Sequence, residues 1–457
     1  MATYRRLRRA SLLTSILALG LFLLTLRLLY GKTPTPSTST SRSAAPATHK
    51  LGQVTSTSPP CARLPGAKDA LVILKTGATE LQDKLPVHFH TTFSCYPNYI
   101  IFSDVEEEYE GHHIIDALEF VNQDYRGANK DFELWRRLQT GGRAALKPDE
   151  LSGPDSKVSP MTGKGSNPGW KLDKWKFLPM VNRTLNMYPD MKWYIFVETD
   201  TYMFWSTTLA YLNSLDHKEP WYMGSQMQIG SVVFAHGGSG IFASQAALRM
   251  VVDLFVANQD EWEKFTAMHW AGDCVLGKAF TDAEVDLTWA WPTIQGVKPG
   301  SIEYDRFEYR KRLWCYPTIS YHHLSPSEVE DIWNFEQDWL EKGKGEIVRH
   351  SDVFISYIMP RIMATKGAKM GWDNMSGNFE NALDCDSYSA CRTLCDDDDY
   401  CAQFAYKDGQ CKKSGSPQWG EANPAVQSGW FLDRVEQFVK NQEPCSGELW
   451  VERGRNA

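Results

Sequence analysis

Two carboxylates one residue apart, Glu198-Thr199-Asp200, follow directly on an apolar run, Trp193 to Val197 (WYIFV). In an extended or turning backbone, carboxylates at i and i+2 beyond a buried strand end converge on one spot. Hard oxygen ligands so arranged suit Mg²⁺ or Mn²⁺, and such an ion neutralises a diphosphate. Triplets of this kind are also common on solvated surfaces, so the weight here comes from the strand before it and the aromatic Tyr202-Met-Phe204 after it. Downstream, His236-Gly237-Gly238-Ser239-Gly240 precedes the helix-forming Ser244-Gln-Ala-Ala-Leu248. The segment lacks GxGxxG spacing and the Gly-Lys-Ser/Thr ending of a phosphate loop, but its small residues permit close approach of backbone to a ligand. Trp270-Ala-Gly-Asp273-Cys274 opens another helical stretch, and Ser320-Tyr-His322-His323 lies further on. A carboxylate near an imidazole and a metal pair can serve as base, ligand or surface. A His pair read alone is more often structural than ligating.

These groups need elements to position them. Ala70 to Lys75 (ALVILK) runs into Thr76-Gly77, and Asn98 to Phe102 (NYIIF) runs into Ser103-Asp104. With WYIFV they are predicted as buried strands. A helical period covers Lys174 to Tyr188, and helices are predicted over 206–215, 244–257, 274–281 and 326–341. Residues 139–169, rich in Gly, Ser, Pro and Lys, read as a mobile surface insertion. Strands alternating with helices predict an α/β fold with a mostly parallel sheet. Ligands of such sheets sit at the carboxyl ends of the strands, which is where Thr76, Gly77, Asp104, Glu198, Thr199 and Asp200 fall.

The N-terminus has a different character. Arg5, Arg6, Arg8 and Arg9 precede an apolar run from Ala10 to Leu26 that ends at Arg27. A run of this length is at the short end of what spans a bilayer, and bulky Arg27, Leu28, Leu29 and Tyr30 follow where a cleavage site needs small residues. The segment reads as an uncleaved signal-anchor, with residues 1–9 cytosolic and a transmembrane helix over 10–28. A short span fits the thinner membranes of the early secretory pathway. A Ser/Thr/Pro-rich stem over 29–68 follows. Residues 1–68 hold ten basic residues and no acidic one, leaving 38 basic against 56 acidic residues in the rest of the 457-residue chain. A body that acidic excludes general nucleic-acid binding, which needs a basic face.

Ten cysteines fit an oxidising lumen. Six fall between Cys385 and Cys445, a disulfide framework whose spacing lacks the paired ligands of a zinc site. Cys61, Cys95, Cys274 and Cys315 remain for the larger part of the chain, and Cys274 is placed to pin its loop to Cys315. Asn182-Arg-Thr184 and Asn374-Met-Ser376 are candidate N-glycosylation triplets.

Taken in order, Thr76-Gly77, Asp104, Lys174-Trp-Lys176, E-T-D-T-Y, H-G-G-S-G, G-D-C and S-Y-H-H resemble glycosyltransferase family 31, its fungal members and the core 1 β1,3-galactosyltransferase and Fringe-type enzymes above all. The resemblance covers about residues 69–345 and is strongest from Trp193 through Leu248. It implies a GT-A fold over 69–370, a UDP-sugar donor, Mn²⁺ or Mg²⁺, and inversion at the anomeric carbon. Carried over by position, Asp200 is the principal metal ligand, with Glu198 at the first place of the DxD-like motif, where Asp is usual. His322 matches a metal or phosphate ligand, with His323 beside it as the alternative. Asp273 matches the catalytic base, although Gly272 stands where a second acid is usual. Thr76, Gly77, Asp104, Lys174 or Lys176, Thr199, Gly237 and Gly238 fall along the nucleotide-sugar site. The stretch from Asp384, assigned to a domain over 371–450, resembles a PAN/Apple module. That resemblance implies pairs Cys391–Cys411 and Cys395–Cys401, with Cys385 and Cys445 closing an outer loop. Such modules bind protein or carbohydrate.

What these resemblances imply is a type II Golgi enzyme that moves a hexose, of the galactose or N-acetylglucosamine class, from a UDP-sugar to a glycan or glycoprotein hydroxyl, forming a β1,3 linkage. The alternative from another class is a membrane-tethered carbohydrate- or protein-binding adaptor on an inactive transferase fold. A glycosidase needs two opposed carboxylates at fixed separation, for which nothing independent speaks.

Overall fold

The computed structural model describes residues 59–152, 167–377, 382–446 and 450–451. Its centre is an eight-stranded sheet made of β1 (Ala70–Lys75), β2 (Tyr99–Ser103), β3 (Glu107–Tyr109), β4 (His112–Asp116), β5 (Trp193–Glu198), β6 (Tyr222–Gly224), β7 (Ile241–Ser244) and β8 (Leu287–Trp289). The order is β8-β6-β7-β5-β1-β2-β4-β3. The three apolar runs read from the sequence are β1, β2 and β5. They lie side by side and parallel, with Lys75 in register with Phe102 on one side and with Glu198 on the other.

Both faces of this centre are covered, which is why its strands are continuously apolar rather than alternating. On one face Leu71, Ile73, Ile100, Phe102, Tyr194 and Phe196 pack against the helices Pro168–Met187, Gln245–Ala257 and Gly272–Asp282. On the other, Val72, Leu74, Ile101, Ile195 and Val197 meet Trp205, Leu209 and Leu212 of the helix Trp205–Asn213. Each fully buried side chain of this size contributes about 1.5–3 kcal/mol.

The sheet is mixed, not mostly parallel. β7 runs antiparallel to both β5 and β6, and β3 antiparallel to β4. Between β6 and β7 the chain holds a hairpin, Gln226–Ile229 with Val232–Ala235, and the glycine turn, with no crossover helix. A parallel return needs such a crossover, so the strand comes back reversed.

The C-terminal part forms a five-stranded antiparallel sheet from β9 (Ala368–Asp373), β10 (Leu383–Asp384), β11 (Gln403–Lys407), β12 (Gln410–Ser414) and β13 (Glu421–Trp430), in the order β9-β13-β11-β12-β10. Its first strand begins at Ala368, three residues before the domain start assigned from the sequence. The sheet shares a core with the larger part: Trp430, Val435 and Phe438 pack with Trp314 and Phe354.

The disulfides are Cys61–Cys95, Cys391–Cys411, Cys395–Cys401 and Cys315–Cys445. Two expected partners are therefore corrected. Cys445 closes on Cys315, fastening the end of the C-terminal part to the larger one, and leaves Cys385 a free thiol. Cys274 is also free, sealed in the core beside Phe234 and Ala271 rather than bonded to Cys315. Among the described residues no helix is long and apolar enough to cross a membrane, and the predicted anchor and most of the stem lie outside them.

Candidate active site

The carboxyl ends of β1, β2 and β5 converge, and the sequence ends each with a polar group. Asp104, fully buried after β2, forms an ion pair of 2.8 Å with Lys176 and accepts a hydrogen bond of 2.7 Å from the Ala78 amide. Lys176 also donates to the Thr76 carbonyl at 2.8 Å. Gly77 leaves no slack here, since a Cβ on it would lie 3.2 Å from Asp104 Oδ2. Thr76 Oγ1 and Thr199 Oγ1 are buried without a hydrogen-bond partner in the protein. Of the two lysines offered by the sequence, Lys176 therefore belongs to the site. Lys174 turns to Asp131 at 3.0 Å and to the carbonyls of Ala267 and His269, bracing the segment that leads to Asp273.

Asp200 and His322 are brought together by a short antiparallel pairing in which Tyr202 faces Tyr321. Both tyrosines are buried and anchored, Tyr202 donating to Glu336 and Tyr321 bonded to His350. The Leu324 amide donates to the Asp200 carbonyl at 3.0 Å. His322 Nε2 lies 3.2 Å from Asp200 Oδ1 and 4.0 Å from Glu198. Asp200, His322 and His323 offer ligand atoms within 4.8 Å of one another. His323 holds a positive φ of 62°, a conformation unfavourable for a side-chain-bearing residue and often found at functional sites. Nδ1 of His322 and Nδ1 of His323 are buried without a hydrogen-bond partner, while His322 Nε2 faces Asp200. Two imidazoles beside a carboxylate form a mixed N/O donor set, which suits a first-row transition ion such as Mn²⁺ better than the all-oxygen preference of Mg²⁺.

Burial opposes the Asp200 charge, but His322 and Lys84 outweigh it and hold the carboxyl well below the carboxylate range. Burial likewise disfavours a charged His322, yet Asp200 lifts its pKa above the ordinary imidazole value. His323 is pushed down to about 4 by burial and by neighbouring His322, so it is neutral and free to ligate at pH 7.

The glycine turn packs protein against protein. A Cβ on Gly238 would fall 2.1 Å from the His322 ring, so this glycine makes room for the imidazole. Gly237 lies between Asp273 and Glu198: a Cβ there would be 3.4 Å from Asp273 Cβ and 3.4 Å from Glu198 Oε1. Asp273 stands in the first turn of the helix Gly272–Asp282. Its Oδ2 accepts from the Gly237 amide and its Oδ1 from the Cys274 amide, each at 2.9 Å. Burial raises its pKa to about 6, partly offset by the Gly237 hydrogen bond.

Three residues that the sequence reading did not single out complete the centre. Lys75 ends β1 and forms ion pairs with Asp173 at 2.5 Å and Glu198 at 3.0 Å. Lys84 forms ion pairs with Asp200 and Glu80, both at 3.0 Å. His88 Nε2 lies 2.8 Å from the Thr199 carbonyl, which can only accept, so Nε2 carries the proton and Nδ1 accepts from Thr92. The signal for Lys75 was its place at the end of a buried strand, since a buried lysine requires a partner.

Both glycosylation triplets are ordered. Asn182 sits half-buried on the Pro168–Met187 helix and accepts from Asn186. Asn374 is fully buried, with Nδ2 donating to the carbonyls of Phe404 and Gly429, so the folded chain cannot present it for glycosylation. No protein-family model matches the chain, and no curated protein matches it.

Proposed function

We propose that the chain is an inverting, UDP-sugar-dependent glycosyltransferase of the GT-A type, acting on a glycan or glycoprotein hydroxyl. The observation that carries this reading is the convergence of Asp200, His322 and His323 at the carboxyl ends of β1, β2 and β5. The buried Asp104–Lys176 pair lies on one side of that point, and Asp273 lies across Gly237 from Glu198.

Asp200 and the two imidazoles would hold a divalent cation. When bound, such an ion supplies Lewis-acid stabilisation of the departing diphosphate. Thr76, Asp104 and Lys176 would bind the nucleotide, and the buried Thr76 hydroxyl gains the partner it lacks. Asp273 would take the acceptor hydroxyl's proton. A carboxylate lifted to about 6 is ionised at pH 7 yet more basic than a solvated one. Attack from the face opposite the leaving diphosphate converts an α-linked donor into a β-linked product, and a β1,3 linkage follows from the family resemblance. The same reading places the enzyme in the Golgi lumen on its N-terminal anchor, with the C-terminal disulfide-rich sheet as a PAN/Apple-like appendage that binds glycan or protein.

Calorimetry with UDP and Mn²⁺ tests the site. Asp200→Asn keeps the side chain's shape but removes the charge, so metal-dependent UDP binding should vanish. Unchanged affinity in the variant refutes the ligand assignment.

A further inference from the structure

Each carboxylate of the E-T-D segment already has a lysine against it. Glu198 has Lys75 and Asp200 has Lys84, each at 3.0 Å. Lys75 is nearly enclosed and held by Asp173 as well. Lys84 likewise has a second carboxylate to hold, and it is the lysine that sits on Asp200, the proposed principal metal ligand. It ends the short helix Leu81–Lys84, pinned by buried Leu81 and Leu85, with its own side chain 12% exposed. Its Nζ bridges Asp200 Oδ2 and Glu80 Oε2, and the Glu80 side chain is 31% exposed.

We propose that Lys84 is a built-in counterion that a divalent cation must displace from Asp200, at a cost that a nucleotide diphosphate offsets by taking the freed ammonium as its partner. This rests on reading Asp200 as a metal ligand. An ammonium and a divalent ion on one carboxylate repel strongly at this depth, because little water screens them. Mn²⁺ alone must therefore dislodge Lys84, and its affinity is weakened by the cost of that exchange. The lysine's flexible stem lets Nζ swing while staying on Glu80. A diphosphate arriving beside the metal offers Lys84 a new anionic partner and removes the cost. Mn²⁺ and UDP then strengthen each other's binding reciprocally, with part of the coupling carried by Lys84. In the resting state the same contact keeps Asp200 compensated and the strand ends in place.

The test is titration of Mn²⁺ alone, and of Mn²⁺ with UDP, into the full chain and its variants. Lys84→Met should bind Mn²⁺ alone about tenfold tighter than wild type, a factor within ordinary site–site couplings. The enhancement that UDP gives should shrink by a comparable factor. Lys84→Arg, which restores the charge, should return both quantities toward wild type, as a mere packing role would not require. Glu80→Gln leaves Lys84 no berth but Asp200 and should weaken Mn²⁺ binding several-fold, so the inference stays exposed even where Lys84→Met fails to fold. Equal Mn²⁺ affinity in wild type, Lys84→Met and Glu80→Gln, with binding abolished by Asp200→Asn, overturns the role of Lys84 and leaves the metal site standing. Mn²⁺ binding indifferent to Asp200→Asn overturns both.

Discussion

Replacing Asp273 by Asn separates a proton acceptor from a structural clasp. Its two oxygens accept from two backbone amides, Gly237 on the glycine turn and Cys274 on its own helix. An amide side chain has one oxygen, so the variant satisfies one of these donors and turns an NH₂ toward the other. That mismatch costs about 1–3 kcal/mol. Burial has lifted the pKa from 3.8 to about 6, so keeping Asp273 ionised in the folded protein at pH 7 costs about 3 kcal/mol. Asn removes that penalty, and the two effects nearly cancel at neutral pH. Between pH 4 and 6 the native state holds the Asp273 proton more tightly than the unfolded state. This group's contribution therefore makes wild-type stability fall as pH rises through that window. The variant lacks this component and should gain on wild type across the window. If Asp273 is the base, sugar transfer should drop by about 10²–10⁴-fold while UDP and Mn²⁺ binding persist. Denaturation curves at pH 4 and pH 7, read beside the transfer rate, decide the matter. A variant with near wild-type transfer refutes the base, and stability curves running parallel from pH 4 to 7 refute the burial argument.

Gly238→Ala places a methyl into the His322 ring, and should cost about 1–3 kcal/mol while weakening Mn²⁺ binding. An unchanged melting temperature and metal affinity would count against the packing described. Alkylation of the native chain should label Cys385 and spare Cys274, whose thiol is fully enclosed and pushed up to about 11 by burial and by Asp273. Non-reducing peptide mapping should recover Cys315 joined to Cys445, and Cys315→Ser should cost about 2–5 kcal/mol. Recovery of Cys385–Cys445 instead would contradict the fold. Asn374 should carry no glycan, and Asn374→Ala should lower stability by about 1–3 kcal/mol through loss of its buried hydrogen bonds to the Phe404 and Gly429 carbonyls. A glycopeptide containing Asn374 would show the reverse.

The strand ends were legible because buried parallel strands announce themselves as short, wholly apolar runs, and the residue after each run then falls at a place the topology fixes. That is how Asp104 and Asp200 could be found without coordinates. The helices at 205–213, 245–257, 272–282 and 326–341 were legible from their apolar period, and two of them carry serine caps, Ser244 and Ser325. The reversed β7 was not legible, since strand direction depends on the path between strands and not on their composition. Lys174 and Lys176 could not be told apart because both neighbours of Trp175 are lysines, and only the helix's rotation against the sheet decides which meets Asp104. Lys84 left no local sign at all, for its partner Asp200 lies more than a hundred residues away. Disulfide choice failed for the same reason. Cys315–Cys445 is set by how the C-terminal sheet docks through Trp430 and Phe438, while the pairs inside that sheet, Cys391–Cys411 and Cys395–Cys401, agree with the module resemblance.

The central claim is tested most directly by UDP release from a panel of UDP-sugars incubated with the full chain and glycan acceptors. The reaction should be run with Mn²⁺ and with a chelator, and beside Asp200→Asn. The account predicts that one UDP-hexose is turned over, that turnover stops with chelation and with Asp200→Asn, and that the product's new glycosidic bond is β by NMR. Absence of release from every UDP-sugar, together with no metal-dependent UDP binding by the folded chain, would contradict it.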